Sequence, residues 1–131
     1  MQVALNSRLR GAIGQPIQAT FVSLAVGALA ALAWCLMARL PWPETSTLAA
    51  VPLIAWCGGL LGVFYLWGTV VATPHVGTAV TFALIIAGQI CISLAIDHFG
   101  WLGATVHPLN LFRAIGAILV LVGASVLAAF R

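Results

Sequence analysis

Three observations predict an all-α, integral membrane fold. Of the 131 residues, 63% are hydrophobic and only 5% are charged, about a fifth of the charge that soluble domains use. A water-soluble surface cannot be assembled from that composition. Uncharged runs of roughly 20 residues, enough for a helix to cross a hydrocarbon layer of ~30 Å, occur four times. The runs are continuous, whereas β-barrel strands would alternate apolar and polar residues over segments of ~10.

The four runs are residues 17–38, 48–72, 76–96 and 111–130, the last with Arg113 in its first turn. The punctuation between them is short. Arg39, Pro41, Pro43 and Glu44 form the first break, and Thr73, Pro74 and His75 the second. His98 to Asn110, with Gly100, Gly103 and Pro108, forms the third. Residues 1–13 read as a short N-terminal helix, so 1–131 reads as a single transmembrane domain. A signal peptide does not fit the start, because residues 1–16 contain Arg8 and Arg10 and no compact apolar core.

Several function classes drop out. The basic residues are all arginine and are dispersed over the ends and loops, so there is no nucleic-acid footprint. Cys35, Cys57 and Cys91 show no pairing pattern and read as small apolar residues. His75 and His107 adjoin Pro74 and Pro108 in turns, and no group of His, Cys, Asp and Glu has metal-ligand spacing. With no nucleophile and base pair and no phosphate loop, an enzyme is not expected, nor is a cofactor.

Orientation in a membrane follows the Lys and Arg bias of the loops. Alternation of the spans puts Arg8, Arg10 and Arg131 on one face and Arg39 and Arg113 on the other. An excess of one charge is a weak instruction. It suggests dual topology, in which opposite copies pair as an antiparallel homodimer. Larger transporters reach a comparable architecture by fusing inverted repeats. A single orientation with the N-terminal face inside is the alternative.

Helical spacing then sorts the faces. In the second span Gly58, Gly62, Tyr65 and Thr69 share a stripe opposite Trp56, Leu60, Phe64 and Trp67. The G-x-x-x-G permits close approach of another helix, and that stripe is expected to face protein or a cavity. The first span repeats the device with Ala19, Ser23, Gly27 and Ala31, and the fourth contains Gly116 and Gly123. In the third span Gly77, Thr78, Thr81, Gly88, Gln89 and Ser93 occupy about half the circumference. Gly88, Gln89 and Ser93 are therefore expected to look inward, at a polar cavity or at interhelical hydrogen bonds.

Asp97 continues the line of Gln89 and Ser93 and meets the unfavourable negative end of its helix, so a cationic partner is expected. His98, Arg39 and Arg113 of its own chain are candidates, joined in an antiparallel dimer by the partner's Arg8, Arg10 and Arg131. Two roles stand open: a structural ion pair at the membrane boundary, and a proton-coupling carboxylate.

The stretches beginning QVALNSRLRGAIGQP at Gln2, GGLLGVFYLWGTVVATPHVG at Gly58 and PLNLFRAIGAILVLVGA at Pro108, with GQICISLAIDHFG at Gly88, resemble the YdcZ-type family of small bacterial membrane proteins. That family lies in the drug/metabolite transporter superfamily. The resemblance covers nearly the whole chain and implies a bacterial inner-membrane protein related to small multidrug exporters. It leaves the substrate unfixed. Family members generally begin with a further hydrophobic helix, of which QVALNSRL is similar to the end. Residues 1–13 would reach only ~20 Å as a helix, so a short half-span is expected in place of a full fifth span, with a truncated fifth span as the alternative. The mid-span glutamate used by the related exporters is absent, since Glu44 falls in a loop.

The expected function is transport of a small solute by an antiparallel homodimer, with Asn6, Tyr65, Thr69, Gln89 and Ser93 lining the path. A passive channel for ions or small solutes and a non-transporting assembly subunit are the alternatives. The partners implied are the lipid bilayer, a second copy, and an unidentified small molecule or ion.

Overall fold

The computed structural model describes residues 1–130, so Arg131 and its place in the orientation count lie outside the described residues. Every regular element among them is helical: α1 (Gln2–Ile13), α2 (Pro16–Met37), α3 (Thr45–Ala49), α4 (Leu53–Val76), α5 (Thr78–Phe99) and α6 (Leu111–Ala129). Four of these, α2, α4, α5 and α6, are long and apolar enough to cross a membrane. The chain divides into two compact units, Met1–Val71 and Ala72–Arg131, with the division inside α4.

In the first unit α1 and α2 form a tight helical hairpin. Gly14 ends α1 with φ +89°, a conformation that side chains resist, and its N–H returns to the Arg10 carbonyl. Gln15 is extended because Pro16 follows it, and Pro16 opens α2, where its missing N–H costs nothing. At the other end of α2, Pro41 and Pro43 keep the chain non-helical as far as Glu44.

The second full span begins at Leu53, five residues after the sequence-predicted start at Leu48. Residues 45–49 form the separate one-turn α3, and Pro52 prevents it from running into α4. The span also ends later. Thr73, Pro74 and His75, read as a break, stay helical, because a proline near a helix end removes one hydrogen bond without ending the turn. The break falls at Gly77, whose φ of +85° and ψ of 158° suit glycine.

In the second unit α5 packs against α6. Gly100 closes α5 in the left-handed region at φ +65°, and its N–H donates to the Ile96 carbonyl. A Cβ at this position would stand 2.7 Å from Val106 Cγ2. A 3-10 turn at Trp101–Gly103 follows, and then an extended run to Asn110. Asn110 caps α6, its Oδ1 accepting from the Arg113 N–H at 2.9 Å.

The chain buries little of itself. Between 6% and 17% of the residues in each span's most apolar window are buried, and large side chains such as Phe21, Trp34, Leu61, Phe64 and Phe112 are exposed. In a bilayer those surfaces are satisfied by lipid, which is as apolar as leucine.

Candidate functional site

The polar residues of the first unit gather on α1. Asn6 and Arg10 are one turn apart, which places both on the same face of the helix. Asn6 is 5% exposed. Its Oδ1 accepts a hydrogen bond from Ser23 Oγ of α2 at 2.9 Å. Its Nδ2 has no acceptor among the described residues. A buried amide N–H left in that condition costs about 1–3 kcal/mol, so some other group is expected to take it.

Arg10 crosses to α4, its Nη1 donating to the Val70 carbonyl at 3.1 Å and to the Val71 carbonyl at 3.4 Å. The first of these contacts has a cause in the sequence. In an α-helix the carbonyl of residue 70 is served by the N–H of residue 74, and residue 74 is proline. Arg10 supplies the hydrogen bond that Pro74 withholds. Carbonyls are uncharged acceptors, so Arg10 keeps its full positive charge. The one acidic residue of this unit is Glu44, which accepts from Ser46 Oγ beyond the far end of α2.

The second unit contains a contrasting cluster at the end of α5. Arg113 Nη2 pairs with Asp97 Oδ2, and Arg113 Nη1 donates to the His107 carbonyl at 2.6 Å. The His107 N–H donates to the Asp97 carbonyl at 2.9 Å. His98 Nδ1 accepts from the Leu109 N–H at 3.0 Å. Of its own chain's candidates among the described residues, Arg113 is the one that meets Asp97, while His98 ties the same loop through the main chain. The paired side chains are 32% and 29% exposed, which suits a membrane boundary. Phe99 stacks on Trp101 with ring centroids 5.1 Å apart, an aromatic anchor of the kind found at that depth.

The residues expected to line a path are dispersed. Thr69 is 1% exposed and its Oγ1 donates to the Leu66 carbonyl at 2.7 Å, whereas Tyr65 is 38% exposed. The buried stripe of α4 is Leu66, Thr69, Val70 and Thr73, rotated from the predicted Gly58, Gly62, Tyr65 and Thr69. Gly88, Gln89 and Ser93 were expected to look inward, and within this chain they are exposed. The physical reason is that α5 buries Val80, Thr81 and Ala87 instead. Ala83, Ile86, Ile90 and Leu94 on that apolar side are half-buried.

The glycine seams were expected to meet a helix, without regard to whose chain it belongs to. Cβ atoms added at Gly27, Gly58, Gly62, Gly88, Gly116 or Gly123 would meet nothing within 4 Å. No helix of the same chain uses these positions for close approach, although Ser23 of the α2 stripe does meet Asn6.

A family model described as "Putative inner membrane exporter, YdcZ" matches residues 1–126. The chain belongs to the YdcZ family. No curated protein and no solved structure matches it. Membership agrees with the four spanning helices of a multi-pass inner-membrane protein, and the family is described by an exporter role and not by an enzyme activity. The family's description as an inner membrane exporter makes the membrane-embedded polar groups the ones of interest. Arg10 was read from the sequence as a topology charge and as a candidate partner for Asp97 of a second copy. The signal that identifies it was present: Asn6 and Arg10 one turn apart, and a proline four residues after a carbonyl in an otherwise unbroken span.

Proposed function

We propose that this protein moves a small solute across the inner membrane as an antiparallel homodimer, with Asn6, Tyr65, Thr69, Gln89 and Ser93 bordering the path. The observation that carries the reading is the outward polar face of α5. Gln89 and Ser93 lie one turn apart and are exposed in the single chain. A carboxamide held in hydrocarbon without partners is costly, on the order of 2–7 kcal/mol by transfer measurements. A second copy, or a water-filled path between two copies, supplies those partners.

Two further features support the pairing. The open space around Gly88, Gly116 and Gly123 suits the close approach of a helix from another chain. The near-even division of arginines, three against two, gives both orientations similar standing during insertion. An unfused repeat paired with its inverted copy would have the symmetry that alternating access uses in fused transporters.

The deciding experiment attaches a reporter to the C-terminus in cells. The dimer reading expects signal on both sides of the membrane, and signal confined to one side overturns it. In proteoliposomes, saturable flux that falls in Gln89→Ala and Ser93→Ala is the expected outcome. Flux that never saturates would point to a channel.

A further inference from the structure

We infer that Arg10 and Asn6 form a subsite for an oxyanion, the carboxylate or phosphate group of the transported solute. The inference rests on the transporter reading above and assigns it a substrate class.

The charge and the buried, unpartnered N–H at this place both belong to donors. Asn6 is buried, its oxygen is already taken by Ser23, and what remains is the unpartnered Nδ2. One turn along the same face, the guanidinium of Arg10 is pinned through Nη1 on the Val70 and Val71 carbonyls. Its Nη2 and Nε edge makes no hydrogen bond among the described residues. That edge is a planar fork matched to two oxygens of a carboxylate or phosphate, and such pairs are among the stronger polar contacts.

The charge balance points the same way. The chain has two acidic residues. Asp97 is paired with Arg113, and Glu44 lies beyond the far end of α2. Among the described residues no carboxylate pairs with Arg10, so a solute anion would compensate it, while a cationic solute would meet repulsion. The depth is suitable for a path. Arg10 is three residues inside the end of α1 and Val70 six residues inside the end of α4, roughly 4.5–9 Å at 1.5 Å per residue. Pro74 contributes by leaving the Val70 carbonyl to Arg10, which fixes the orientation of the fork.

The test uses the full chain in detergent, with sodium acetate, inorganic phosphate and tetraethylammonium as probes at constant ionic strength. Acetate or phosphate is expected to raise Tm saturably, and tetraethylammonium is not. Arg10→Gln should abolish the response, and Asn6→Ala should weaken half-saturation by about tenfold. Because Arg10→Gln also removes the cap on Val70, the decisive variant is Arg10→Gln combined with Pro74→Ala, which restores the helical donor. Pro74→Ala alone should keep a measurable anion response, weaker than wild type because the Val70 carbonyl no longer pins the fork, and the double variant should lack it.

A wild-type response surviving in the double variant would reduce Arg10 to a cap and overturn the subsite. So would the absence of any anion response in the wild type. A response found only in phosphatidylglycerol vesicles, and not with soluble probes or in phosphatidylcholine, would replace the solute by a lipid headgroup. Saturable tetraethylammonium flux unaffected by Asn6→Ala would overturn the subsite while leaving transport standing. Anion binding lost in the double variant, with no flux in proteoliposomes, would support the subsite and overturn transport alone.

Discussion

The two half-buried arginines solve different problems. Arg113 meets an acid and a carbonyl at the end of α5, so its charge is balanced and its loop is tied. Arg10 meets two carbonyls of α4 and no acid, so its hydrogen bonding is partly satisfied and its charge is not. The difference teaches that a cation inside a membrane protein should be judged by both ledgers separately. A guanidinium with complete bonding and a neutralised charge is structural. One that keeps its charge and free donors is available to a ligand.

The comparison can be broken most severely at Asp97. Asp97→Ala leaves Arg113 without its acid and should destabilise the α5–α6 unit by about 2 kcal/mol, in the range of a charge-assisted hydrogen bond. Thermal unfolding in detergent reads this. The double variant with Arg113→Gln should lose less than the sum of the two single changes, since each removes the same pair.

A slightly smaller effect is expected at Gly100, which holds the loop that brings Arg113 to Asp97. Gly100→Ala combines a left-handed backbone with a contact against Val106, and a loss of about 1–2 kcal/mol is expected in the same assay. Indifference to the change would mean that the loop geometry does not position the pair.

At the other arginine, Arg10→Ala should cost ~1 kcal/mol by orphaning the Val70 carbonyl, and the cost should nearly vanish in a Pro74→Ala background. A double-mutant cycle with no coupling would separate Arg10 from Pro74. The smallest expected change is at Gly116, where open space lets alanine raise helix stability by up to about 0.8 kcal/mol in the isolated chain. Crosslinking should meanwhile report less of any dimer that packs there.

Much of the helical organisation was legible because hydrophobic length is a local property. The runs at 17–38 and 111–130 match α2 and α6 within a residue at each end. The run at 48–72 was displaced because no composition signal distinguishes a proline that stops a helix, Pro52, from one that a helix end tolerates, Pro74. Asp97 needed a cation, and its helix position said so. Which of several cations would arrive depended on a loop whose path is set by Gly100 and the left-handed Leu102.

From the sequence alone came the membrane class, the short first helix, the family resemblance and the demand for partners at Gln89, Ser93 and Asp97. These follow from solvation, since any polar group in an apolar chain must be accounted for wherever it lies. Only the tertiary structure decided that Arg10 serves the carbonyl freed by Pro74, that Arg113 reaches Asp97, and that the polar face of α5 turns away from its own chain. Those outcomes depend on which helix face meets which neighbour. With two faces of α5 both able to pack, one by apolar contact and one by hydrogen bonds, the choice is made by competition among long-range contacts that no local spacing encodes.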